Sequence, residues 1–166
     1  MPHGFRARLI EGLFEVSSRL YTRLRPRSPW RLPARRLACF PAGTLGHALG
    51  AYLLERGFEL IEGRESHDVF HLLTGIGNDA VSEVCLQWWL FGNGKRSPYL
   101  LGAVVLGALV FPEHLARFVR AWRSGRRQLP LHRIDWRPLL AGPLPRLRLH
   151  VVEAGRSAGV VQISSR

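Results

Sequence analysis

Glu65-Ser66-His67-Asp68-Val69-Phe70-His71-Leu72-Leu73-Thr74-Gly75 is the stretch on which the fold turns. Read as a helix over residues 66–74, it puts His67 and His71 one turn apart on one face, with Asp68 about 100° round the axis. One side of one helix then offers three hard nitrogen and oxygen donors. Gly75-Ile76-Gly77-Asn78 is turn chemistry, so the chain reverses there. After eleven intervening residues comes Glu83, on a second helix that the reversal brings back toward the first. His67, Asp68, His71 and Glu83 together make a donor set suited to a divalent cation. The same residues admit a plainer reading. Asp79, Ser82, Glu83 and Gln87 fall on one helical stripe that would also serve as a solvated face, and His-x-x-x-His pairs arise by chance.

Working outward, residues 44–56 read as a helix with Thr44 at the N-cap and Gly57 just past the end. Gly46 and Gly50 stand four apart, which would let a second helix approach closely or would simply loosen the segment. Downstream, residues 79–91 form the helix that carries Glu83. Residues 98–111 are the most apolar run, too short for a bilayer crossing of about 20 residues, and are expected to be a buried helix or one lining an apolar cavity. Pro112 suits the first turn of a helix running to about Trp122, ended by Ser124-Gly125-Arg126-Arg127. Short helices are expected over 136–140 and 145–151. No stretch alternates with a period of two over a useful length. The expected fold is all-α, a single helical domain of about six to eight helices with an N-terminal basic amphipathic helix. Its parts are residues 1–36 as that helix and a linker, 37–153 as the metal-binding domain, and 154–166 as a flexible tail.

At 166 residues and 18.8 kDa the chain suits one domain with a sizeable core. Its formal charge is +12, almost all arginine, with Lys95 the only lysine. Arg6, Arg8, Arg19, Arg23, Arg25, Arg27, Arg31, Arg35 and Arg36 crowd the first 36 residues. Leu9, Leu13, Val16, Leu20 and Leu24 recur among them near helical spacing, so residues 5–24 read as a basic amphipathic helix. Such a helix lies well on an anionic membrane surface, or packs its leucines on the core with arginine left in water. Glu11 and Glu15 argue against a cleaved leader. Nucleic acid is not the expected partner, since no zinc-finger spacing, aromatic-basic motif or recognition helix accompanies the charge. Cys39 and Cys85, with no C-x-x-C spacing, are expected as reduced core thiols rather than ligands.

Phe40-Pro41-Ala42-Gly43-Thr44-Leu45-Gly46, the run from Arg64 to Gly75, Glu83 at its interval, and Ile134-Asp135-Trp136 with Pro143-Leu144 and Arg146-Leu147-Arg148 resemble the coenzyme Q (ubiquinone) biosynthesis protein four family. The resemblance spans residues 39–152, about two thirds of the chain. Ser66 stands where that family has threonine, keeping a hydroxyl for the helix N-cap, and Arg137 stands where an acidic residue is usual. The resemblance implies a helical protein that holds one divalent metal ion, zinc first, on His67, Asp68, His71 and Glu83. It also implies a polyprenylated aromatic or isoprenoid lipid as ligand, other quinone-biosynthesis proteins and a second copy of the chain as partners, and a peripheral place on the membrane. That place is the cytoplasmic face in a bacterium, or the matrix side of a mitochondrion.

The chemistry expected of such a centre follows from its donors. Two imidazoles and one or two carboxylates leave coordination positions open, and iron or manganese suits the set as well as zinc. A hydroxybenzoate ring anchored there could lose its carboxylate as negative charge is stabilised. The implied function is oxidative decarboxylation of a polyprenylated 4-hydroxybenzoate precursor of ubiquinone, with Arg64 holding an anionic group of the substrate. Phe70, Leu72, Leu73, Trp88, Trp89 and the run from Leu100 would wall an apolar pocket for the tail, or are simply core. Two other expectations stand beside this one: a non-catalytic metal- and lipid-binding scaffold, and an HD-type phosphohydrolase using His47, His67, Asp68 and Asp135.

Overall fold

The computed structural model describes residues 29–149 together with residues 4, 6, 8 and 12. The basic helix expected over 5–24 lies outside them save for Arg6, Arg8 and Gly12, and the tail over 154–166 lies outside altogether. Among the described residues the architecture is all-helical, with one isolated bridge between Thr44 and Pro143 and no strand. The helices are α1 (Ala34–Ala38), α2 (Leu45–Glu55), α3 (Glu65–Thr74), α4 (Ala80–Gly92), α5 (Pro98–Val110) and α6 (Leu115–Arg126). Short 3-10 turns at Pro112–His114, Leu131–Arg133 and Arg137–Leu139 join or follow them, and residues 144–149 are again helical.

Three of the six helix starts from α1 to α6 are closed by a side chain of their own segment. Thr44 accepts from the His47 amide, Asp79 from the Ser82 amide and Ser97 from the Leu100 amide, each closing an N-terminus. The other free amides at the start of α2 are taken up from far along the chain. Leu45 N–H donates to the Gly142 carbonyl at 2.9 Å and Gly46 N–H to the Leu140 carbonyl at 2.7 Å, so the segment after Trp136 seals that end. Two ends differ from expectation. Helix α3 begins one residue earlier, with Arg64 at the cap and no side-chain bond there, so Ser66 is not the cap. Glu65 is drawn inward, where it accepts the Trp30 amide at 3.0 Å. Pro112 opens a 3-10 turn rather than a long α-helix, and α6 starts only at Leu115.

The core gathers Leu37, Leu49, Phe70, Val84, Trp89, Phe118 and Trp136, with the Trp136 ring edge-on to Phe70 at 6.2 Å. Glycine sets two close crossings. A Cβ on Gly50 would strike the backbone of Leu37 and Ala38, so the expected close approach at this glycine is real and its neighbour is α1. A Cβ on Gly92 would meet the Trp122 carbonyl oxygen, and one on Gly125 the Trp89 carbonyl oxygen. Helices α4 and α6 therefore cross backbone to backbone. Asn93 locks that crossing by donating to the Leu129 carbonyl at 2.7 Å and to the Gly125 carbonyl at 3.3 Å.

Two expectations about burial are corrected. Cys39 is exposed, its thiol donating to the Arg35 carbonyl, because it caps the short α1 instead of packing beneath it; Cys85 is a buried core thiol. Helix α5 buries Leu100, Ala103, Val104 and Gly107 but leaves Leu101, Val105 and Leu109 open.

Candidate metal centre

Helix α3 ends where Gly75 takes the left-handed conformation, φ 69°, which an L side chain adopts only at a cost. That turn folds Ile76 back under the helix. His71 Nδ1 donates to the Ile76 carbonyl at 2.9 Å, since a carbonyl oxygen can only accept. Tyr52 of α2 holds the far side of the same turn by donating to Asn78 Oδ1 at 2.7 Å. With its Nδ1 proton committed, a neutral His71 ring turns the bare lone pair of Nε2 inward.

Three donors meet there. His71 Nε2 lies 3.1 Å from His67 Nε2 and 3.0 Å from Glu83 Oε1, while His67 Nε2 lies 3.2 Å from Glu83 Oε2. The two imidazoles sit edge to face, ring centres 4.7 Å apart. Lone pairs converging this closely repel unless a positive charge sits among them, either a proton or a cation. A tetrahedral zinc would hold such donors about 3.4 Å apart, so an outward shift of a few tenths of an ångström admits the ion. The donors fit a divalent metal, and with three protein ligands a fourth position stays free for a carboxylate, water or substrate oxygen.

The electrostatics carry the same signature. Burial pushes the Glu83 carboxyl up, but hydrogen bonds and charge from His67 and His71 overcome it and hold Glu83 well below the carboxylate range. Burial disfavours charge on both histidines. For His67 it wins and lowers the pKa, while for His71 the Glu83 carboxylate wins and raises it. In the metal-free chain the acid therefore favours a proton on His71 over one on His67.

Of the four expected ligands, the structure brings together His67, His71 and Glu83, all within 4.8 Å of one another. Asp68 stands outside that group. It is half-buried on α3, and burial, opposed by the charges of His71 and Arg64, pushes its carboxyl up to about 6. Arg64 caps the same helix, and its charge is felt at His67, Asp68 and Tyr99. Tyr99, at the start of α5, is pushed up by burial with Arg64 lowering and Glu83 raising it; spacing in the sequence did not bring this phenol to the site.

The plainer reading of the α4 stripe fails on burial. Ser82 is 1 % exposed and Gln87 2 %, and Glu83 is half-buried, so beyond the exposed cap Asp79 the stripe faces inward rather than into solvent. Phe70, Leu73, Trp89 and Leu100 are core, and Leu72 and Trp88 pack half-buried against it. The phosphohydrolase set is not assembled. His47 Nδ1 bonds the Ala38 carbonyl at 2.9 Å, and Asp135 is exposed and accepts the Arg137 amide.

No protein-family model matches the sequence, and no curated protein does. Among solved structures the chain is similar to a crystal structure from Nostoc punctiforme PCC 73102, of a protein whose placement in ubiquinone biosynthesis is itself provisional. The two share 19 % identity and a TM-score of 0.59 over 88 % of this chain and 80 % of that one. At that identity the likeness speaks for the fold: this chain has the all-helical architecture of the Nostoc protein.

Proposed function

We propose that the chain works in ubiquinone biosynthesis, holding one divalent metal ion on His67, His71 and Glu83 and processing a polyprenylated 4-hydroxybenzoate at a membrane surface. The observation that carries this reading is the convergence of three lone-pair donors within 3.2 Å, one of them oriented by the Ile76 carbonyl. The fold shared with the Nostoc protein supports the pathway.

A metal bound here would supply an electropositive anchor for a substrate carboxylate or phenolate oxygen and would stabilise negative charge on the ring. Glu83 and the two histidines would hold that anchor, and Asp68, on the same helix as the histidines, would join it as a fourth ligand or take a proton beside it. Arg64 would pair with an anionic group of the substrate. The ring carboxylate would leave as carbon dioxide and a hydroxyl from water would take its place, the two electrons released passing to dioxygen, which would leave as hydrogen peroxide.

The test is incubation of the purified, metal-loaded full chain with the prenylated acid and dioxygen, followed by mass spectrometry. Hydroxylated, decarboxylated product is expected from wild type and not from His67→Ala or Glu83→Ala, both of which should also lose metal. A wild-type chain that holds metal and lipid yet yields no product would instead be a non-catalytic scaffold for the other enzymes of the pathway.

A further inference from the structure

We propose that the outer face of α5 is a docking surface that seats the folded body on an anionic lipid bilayer. Helix α5 is apolar all the way round, Tyr99 being its only polar side chain. One side packs inward, where a Cβ on Gly107 would strike Val84 of α4. On the other side Leu101, Val105 and Leu109, four residues apart, form a straight stripe that is 44 %, 58 % and 72 % exposed. Beside it, Gly102 has open space where a Cβ would stand. A helix on a water-facing surface places polar residues at such positions.

Charge selects the occupant. The chain carries +12, and both ends of the stripe are marked by an arginine laid on an aromatic ring. Arg96, just before α5, stacks over Phe91 at 4.3 Å. Arg6 stacks over Phe111 at 5.2 Å, bonds the Val110 carbonyl and pairs with Glu113 at 3.0 Å. Aliphatic side chains in a row with guanidinium groups at either end match a bilayer interface, with acyl chains beneath and phosphates at the rim. Arg6 itself belongs to the arginine-rich first 36 residues of the sequence. Helix α5 is about 20 Å long, and no single described helix is long and apolar enough to cross a membrane. It would lie in the plane of the interface, and the next helical segment leaves it at 103°. The inference shares with the proposed function a workplace at the membrane and is independent of the metal chemistry.

The experiment is sedimentation of the full chain with phosphatidylcholine vesicles, with and without about 30 % phosphatidylglycerol. Wild type is expected to pellet with the anionic vesicles and to release them as salt rises. The variant Leu101→Ser/Val105→Ser/Leu109→Ser is expected to bind about ten-fold more weakly. Leu109→Glu alone should also weaken binding, with melting temperature and metal content unchanged in both variants. Wild-type affinity in both would overturn the proposal. So would a wild-type dimer that the triple variant breaks while neither binds vesicles, since a second copy would then cover the face. Metal content read on the same samples tests the proposed chemistry separately.

Discussion

His71 Nδ1 and the Ile76 carbonyl oxygen stand 2.9 Å apart, which ties the inner histidine of α3 to the turn that ends its own helix. Turn and site are thus one construction. The left-handed Gly75 aims Ile76, Ile76 fixes the His71 tautomer, and the tautomer decides which nitrogen faces Glu83.

Cation uptake should compete with a proton on His71. Burial opposes charge on this ring, but Glu83 overcomes it and raises the pKa above 6.5. The stability this group lends the metal-free chain is full below 6.5 and is lost as pH rises through the raised value. Zinc affinity should run the other way and increase across the same window. Calorimetric titration in two buffers should show about one proton released per zinc near pH 6, and tighter binding near pH 8. Affinity independent of pH, with no proton released, would remove His71 from the ligand set.

Asp68→Asn should stabilise the metal-free chain at neutral pH. Burial raises this carboxyl from 3.8 to about 6, so its contribution is full below 3.8 and is lost as pH climbs through 6. Removing the charge should gain about 2–3 kcal/mol near pH 7 and nothing near pH 4, read as urea midpoints. If Asp68 completes the metal shell, the gain should vanish or reverse when metal is added. A variant no more stable than wild type at neutral pH would show that the carboxylate is well solvated.

Gly125→Ala should cost about 2 kcal/mol or more, because the new methyl meets a carbonyl oxygen of α4 that has no rotamer to escape into. Gly102→Ala, at a helical position open to solvent, should be neutral or stabilising. Thermal melts of the pair decide it, and equal melting temperatures would mean the crossing is looser than described.

Under native conditions a maleimide should label Cys39 and spare Cys85. Cys39 is exposed, whereas burial pushes the Cys85 thiol up to about 11 and leaves little thiolate at neutral pH. Mass spectrometry should count one adduct per folded chain and two after denaturation.

The features legible in the sequence are those that a single residue announces. Thr44, Asp79, Pro98 and Gly75 each carry a backbone or capping preference strong enough to mark a helix end by itself. His67, His71 and Glu83 could be paired because one helical turn and one reversal determine their meeting. What escaped depends on distant partners. The start of α3 moved because Glu65 answers an amide 35 residues away. Period 3.6 shows that Ser82, Glu83 and Gln87 share a face but not whether that face looks in or out. The Ile76 carbonyl has no signature at all, since every residue carries one. Composition likewise marked α5 as apolar without showing that one side of it stays open.

The glycine crossing between α4 and α6 bears on how the centre could change over evolution. Glu83 rides on a helix pinned backbone against backbone near its far end, whereas the histidines ride on a shorter one that ends in the Gly75–Asn78 turn. The acid's position is thus set by that crossing and the imidazole pair's by the turn. Chains on this scaffold that adapt to a wider or narrower ion would therefore be expected to differ in the Gly75–Asn78 bend and to keep their glycines at 92 and 125.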